Sequence, residues 1–154
     1  MRRAKPIAVT AGAVLAMAVS SAAGQERGVV DPARARVNYM LKCQGCHQPD
    51  GSGNATNTPP LRNQVARFLW APGGREFLVQ VPGVASADLS DEKLAEVLNW
   101  TLWSFDAANV PPDFKSYTTE EVGRLRKRPL RLDRIAVREA LVAAIEKSSE
   151  WIRR

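Results

Sequence analysis

The chain is poor in the side chains that build most metal and redox sites. His47 is its one histidine among 154 residues, beside two cysteines and three methionines. A disulfide framework needs several cysteine pairs, and Cys43 and Cys46 make one pair at most. A structural zinc site takes four ligands, largely Cys and His, and the chain has three such side chains in all. No stretch alternates apolar and polar residues for long enough to build a sheet, and there is no internal repeat. The fold class expected is therefore all-α. No apolar run reaches the roughly 20 residues of a membrane span.

What is present begins with a basic N-terminus. Arg2, Arg3 and Lys5 precede an uncharged apolar run from Ile7 to Val19, and Ser21-Ala22-Ala23 supplies small residues after it. That is the layout of a secretory signal peptide over residues 1–23. Cleavage is expected near Ala23, by the general export route, with an uncleaved N-terminal anchor as the alternative. The mature protein would then be periplasmic. Charge is unevenly spread along it. Gly24 to Gly123 holds 9 basic and 12 acidic residues, whereas Arg124 to Arg154 holds 10 basic and 4 acidic. The basic character belongs to the C-terminal part.

Helix signals punctuate the rest. Gln25 to Val30 reads as a flexible lead. Asp31-Pro32 opens a helix, Asp as N-cap and Pro at the first helical position. Asp50 to Pro60 is loop, rich in Gly, Asn, Thr and Pro. Gln64 to Trp70 and Arg75 to Val81 are predicted as short helices, each broken by a following Pro-Gly. Leu89 to Phe105 is the strongest helix, capped by Ser90 with Asp91 and Glu92 in its first turn. Its apolar face is Leu94, Val97, Leu98, Thr101 and Leu102. Thr118 and Glu121 suggest a capping box. Arg134 to Ile152 is the last helix, with Val137, Leu141, Ala144, Ile145 and Ile152 on one face.

The chemistry sits in Cys43-Gln44-Gly45-Cys46-His47. This C-x-x-C-H run is the attachment signature of haem c. Thiols one helical turn apart can add to the two vinyl groups on one haem edge, and the next residue's imidazole then lies under the iron. Other uses of the motif fare worse. A thioredoxin-like site wants a strand-to-helix turn in an α/β fold, zinc lacks ligands, and a disulfide across so short a loop leaves His47 to chance.

The surroundings extend the match. Residues 31–106 resemble the class I c-type cytochromes: Ala35 and Tyr39 before the motif, Asp50-Gly51-Ser52-Gly53 and Pro59-Pro60-Leu61 after it, then a helix through Leu94, Val97, Leu98 and Trp100. The resemblance implies a cytochrome c-like helical domain around one covalent haem c, with Cys43 and Cys46 as thioether residues and His47 as proximal iron ligand. It also implies that the Pro59 carbonyl accepts the His47 Nδ1 proton, that Leu61 packs on the haem, and that Tyr39 meets Trp100 where two helices cross.

The pattern fails on the other side of the iron. The family's axial methionine precedes a proline before the last helix, and that slot reads Val81-Pro82. Methionines stand only at 1, 17 and 40, the first two in the expected signal peptide and Met40 on the proximal side. The sixth position is then open, water-bound, or held by Lys93, Asn99, Asn109, Lys115, Tyr117 or the new N-terminal amine. The function expected is a periplasmic single-electron carrier serving a redox partner such as a dehydrogenase or terminal acceptor, and not an enzyme. The alternatives are an open-site haem c protein binding NO, CO or O2, and a haem enzyme. Residues 107–154 form a basic helical extension. It could steer the protein to an acidic partner or anionic lipid, or could be a solvated linker and a helix packed on the haem domain; no role with nucleic acid is expected.

Overall fold

A computed structural model of the chain describes residues 27–152. The expected signal peptide, residues 1–23, lies outside the described residues. Seven α-helices follow one another among the described residues: α1 (Pro32–Lys42), α2 (Gln44–His47), α3 (Gly74–Gln80), α4 (Pro82–Ala85), α5 (Asp91–Asp106), α6 (Thr119–Leu125) and α7 (Arg134–Ile152), with 3-10 turns at Ala66–Trp70 and Ala107–Asn109. Among the described residues there is no strand, and an isolated bridge between Asn54 and Thr58 is the only pairing of that kind. The all-α expectation holds.

Local rules explain the helix starts. Asp31 accepts from the Arg34 amide at 2.9 Å with Pro32 behind it, and Ser90 caps α5 through the Lys93 amide. Thr118 caps α6 by accepting from the Glu121 amide. The Glu121 carboxylate is held by Arg75 at 2.6 and 2.7 Å, across the molecule from the capping role its sequence position suggests. Pro82-Gly83, by sequence a breaker, instead opens α4, because proline at the first helical position has no intrahelical N–H to lose. The lead before α1 is docked where the structure describes it: Val29 is buried, and the Gly28 carbonyl accepts from Asn99 Nδ2 at 3.1 Å.

Helices α1 and α5 pack against each other through buried Tyr39, whose ring centroid lies 5.3 Å from Trp100 and 5.1 Å from Phe105. At the same contact, Glu96 is 4% exposed and accepts from the Asp31 amide and from Arg34. A first apolar cluster joins Leu94, Ala95 and Leu102 of α5 to Val65, Ala66, Val79, Tyr117, Val122 and Leu125. A second joins Phe68, Ala71 and Phe77 to Leu141 and Ile145 of α7. Ala144 is exposed, so the α7 apolar face is narrower than expected. Residues beyond 107 thus contribute to both clusters.

Candidate functional site

The site begins where α1 ends. The Cys43 amide closes α1 on the Tyr39 carbonyl at 2.8 Å, and Cys43 then caps the single turn of α2. The His47 and Cys46 amides both return to the Cys43 carbonyl, at 3.0 and 3.2 Å. This turn puts the thiols one helical step apart with the imidazole directly after. The two sulfurs are not bonded to each other; Cys43 is half-buried and Cys46 exposed. Burial and the neighbouring Cys46 push the Cys43 thiol pKa up, which favours the neutral thiol over a reactive thiolate. Among the described residues no three His, Cys, Asp or Glu side chains gather to hold a metal ion, so the zinc reading finds no support.

Gln48 ends the turn with φ 66° and ψ 162°, a conformation that non-glycine residues rarely adopt. Its carbonyl is fixed there by Tyr39 Oη, which donates at 2.7 Å. The next loop folds back on the turn. The Gly53 amide donates to the His47 carbonyl at 3.0 Å, and the Gly51 carbonyl accepts from the Leu61 and Arg62 amides. Both glycines have positive φ and no room for a side chain: a Cβ on Gly51 would strike Phe105 at 2.8 Å, and one on Gly53 would overlap the Thr58 carbonyl. Arg62 ties the loop to Asp50 at 3.0 Å. These bonds bring Asp50–Gly53 and Pro59–Leu61 together beside His47.

Burial pushes the His47 pKa below the ordinary imidazole value, and the Pro59 backbone opposes that shift. Nδ1 is buried, yet no acceptor meets it at hydrogen-bond geometry. The Pro59 carbonyl is therefore close but not seated as an acceptor. A metal-bound imidazole donates its other ring N–H to an acceptor, and the nearby Pro59 backbone is placed to be that acceptor after a small shift, leaving Nε2 for iron. Two free thiols one turn apart complete a donor set suited to haem c.

Cytochrome c-552 of Thermus thermophilus is 37% identical to this chain over 107 residues, covering 58% of this chain and 82% of that protein. A second cytochrome c-552, that of Thermus thermophilus strain ATCC 27634 / DSM 579, is 37% identical over 107 residues, covering 58% of this chain and 72% of its own length. No family model matches the chain. This chain belongs to the class I c-type cytochromes. Its cofactor is one covalently bound haem c.

In this cytochrome the sequence candidates for the sixth ligand separate clearly. Asn99 is 1% exposed, and its amide is consumed by Gly28, by the Tyr117 carbonyl and by the Tyr117 amide. Tyr117 is 3% exposed and donates its hydroxyl to the Arg75 carbonyl at 2.8 Å. Asn109 donates to Asp106 at 2.6 Å and its carbonyl accepts from Trp70. All three are engaged in holding the fold. Lys93 and Lys115 are exposed. Met40 is 48% exposed on α1. Val81 is half-buried and packs against the second cluster, with Phe77 and Leu141; Leu61 packs against the first.

Sequence reasoning misses Gln48 and Asp106, which nothing local marks, and it reads Arg126 only as one member of the basic stretch 124–128. Asp106 is 2% exposed and accepts from the Ala66 amide at 2.7 Å, tying the end of α5 to the turn that carries Phe68.

Proposed function

We propose that this cytochrome is a mono-haem, periplasmic single-electron carrier for a redox protein, a dehydrogenase or a terminal acceptor. The observation that carries this reading is the turn of α2, which sets unbonded Cys43 and Cys46 thiols one helical step apart with His47 directly after them. In this reading Cys43 and Cys46 would hold the haem by thioethers and His47 would bind its iron. The Pro59 carbonyl, close to His47 but not seated on Nδ1 in this structure, would accept the Nδ1 proton once iron fixes the ring, and so would orient it. Leu61 packs on the haem, and Val81 starts the distal wall. Bound haem c supplies a one-electron couple, so the protein takes one electron from its donor and gives one to its acceptor. Residues 31–106 form the haem domain and 107–154 the extension. Residues 1–23 are the export signal, and the basic extension meets the acidic surface of the partner.

A second reading, reversible binding of NO, CO or O2, is favoured by one specific observation. No methionine follows Met40 in the sequence, and the buried Asn99 and Tyr117 are committed elsewhere. An optical spectrum of the reduced holoprotein with and without CO separates the two. A low-spin spectrum indifferent to CO supports the carrier, and rapid CO binding supports the ligand-binding reading. Digestion and mass spectrometry must find haem on the peptide holding Cys43 and Cys46; a peptide without it defeats both. Val81→Met is expected to bring a sulfur-to-iron absorption band and a higher potential, and absence of both removes Val81 from the distal wall.

A further inference from the structure

The stretch from Gln80 to Asp91 is where the family supplies an axial methionine, whose bond to iron would anchor the loop. This chain has no methionine there. The stretch is nevertheless held at both ends, in each case by the C-terminal part of the chain. Arg126, just past α6, has a side chain 17% exposed. Its Nε donates to the Ala85 carbonyl at 3.0 Å and its Nη2 to the Ala87 carbonyl. Its Nη1 donates both to the Leu89 carbonyl at 2.8 Å and to the Asp91 carboxylate at 3.0 Å. At the other end the Leu130 amide donates to the Gln80 carbonyl at 2.9 Å. Val81 is gripped by the cluster that Leu141 and Ile145 bring from α7.

Irregular backbone must find partners for its carbonyls, from within the protein or from water. A guanidinium suits this task because it presents five N–H donors in a rigid plane, where an ammonium is a point charge. We propose that Arg126 is a positioning residue for the distal wall of the haem pocket, and that with Leu130 and α7 it tethers Gln80–Asp91 in place of the missing sulfur–iron bond. This rests on the reading above, in which that stretch stands across the haem from His47. The basic extension then has a structural task at Arg126, separate from the exposed Arg124, Lys127 and Arg128.

Hydrogen exchange of the holoprotein, resolved by residue, tests the tether without using redox activity. Arg126→Leu and Arg126→Lys should each speed amide exchange in Val84–Leu89 at least tenfold and speed CO association, because lysine keeps the charge but loses the fork. Arg124→Leu should match wild type in both. Unchanged protection in a folded Arg126→Lys protein, or protection lost equally in Arg124→Leu, overturns the proposal. Should the Arg126 variants not fold, wild-type exchange in low denaturant decides. The Leu130 amide and those of Val84–Leu89 must open as one unit, and separate opening overturns the tether. A wild-type protein lacking haem would defeat the proposed function, while the exchange results would still report on the clamp.

Discussion

At the scale of single residues, the turn that joins Cys43, Cys46 and His47 is legible in the sequence because its requirements are local. Two thiols and an imidazole at fixed spacing need one turn of helix, and the bonds from Cys46 and His47 to the Cys43 carbonyl provide it. The backbone cost of the turn is not legible, since no composition rule places a glutamine at φ 66° and ψ 162°. Such a conformation costs of order 1–3 kcal/mol, and glycine would relieve it at an entropic expense of roughly 0.5–1 kcal/mol. Gln48→Gly is therefore expected to stabilise the holoprotein by about 1 kcal/mol, read from the urea midpoint; a lower midpoint would show that the backbone is not strained there. Asp106 gives a pH signature. Burial raises its pKa, more than its bonds to Asn109 and to the Ala66 and Arg67 amides lower it. The folded state then binds the proton more tightly than the unfolded one. That contribution is complete below the ordinary value of 3.8 and is lost as the pH rises through the folded pKa. Asp106→Asn cannot titrate. Its stability relative to wild type should therefore improve as the pH is raised from below 3.8 toward neutrality, in parallel urea titrations. A decline would mean that the carboxylate's hydrogen bonds outweigh its burial.

At the scale of elements, helix starts are legible wherever a cap marks them, as at Asp31, Ser90 and Thr118. What the sequence conceals are pairings that depend on distance. The Gly28 carbonyl is ordered by Asn99, 71 residues away, so the lead before α1 looks flexible when read alone. Asn99 and Tyr117 look free to ligate iron because their partners are backbone groups, which carry no mark of identity. The Arg126 clamp is hidden for the same reason: three of its acceptors are backbone carbonyls. Helix α7 is the element whose docking is most open to direct test. Leu141 is 6% exposed within the second cluster, against Phe68 and Phe77. Leu141→Ala should cost about 2–5 kcal/mol, the range for a buried leucine that leaves a cavity. Equilibrium unfolding in urea, with circular dichroism and the haem absorption band followed together, reads the loss. A midpoint unchanged from wild type would show that α7 contributes nothing to the fold.

At the scale of the whole molecule, charge is segregated along the chain. Gly24 to Gly123 carries a net −3 and Arg124 to Arg154 a net +6. Not all of the basic stretch is free to face a partner, because Arg126 is bound to Asp91 and three backbone carbonyls. Arg124, Lys127, Arg128 and Arg131 are exposed. Steering by such a patch acts on the association rate and is screened over a Debye length of about 10 Å at 0.1 M salt. Electron exchange with a small anionic oxidant should therefore slow as salt rises from roughly 0.01 to 0.5 M, a range over which that length shrinks severalfold. Exchange with a cationic oxidant at the same haem should change less or in the opposite sense. Replacing Arg124, Lys127, Arg128 and Arg131 together by glutamine should flatten the response to the anion while leaving the optical spectrum unchanged, since none of the four belongs to the α2 turn or to the Arg126 clamp. Stopped-flow rates across the salt series supply the comparison. An anionic response that survives the four substitutions would locate the attracting charge elsewhere on the protein and remove these four side chains from any part in steering.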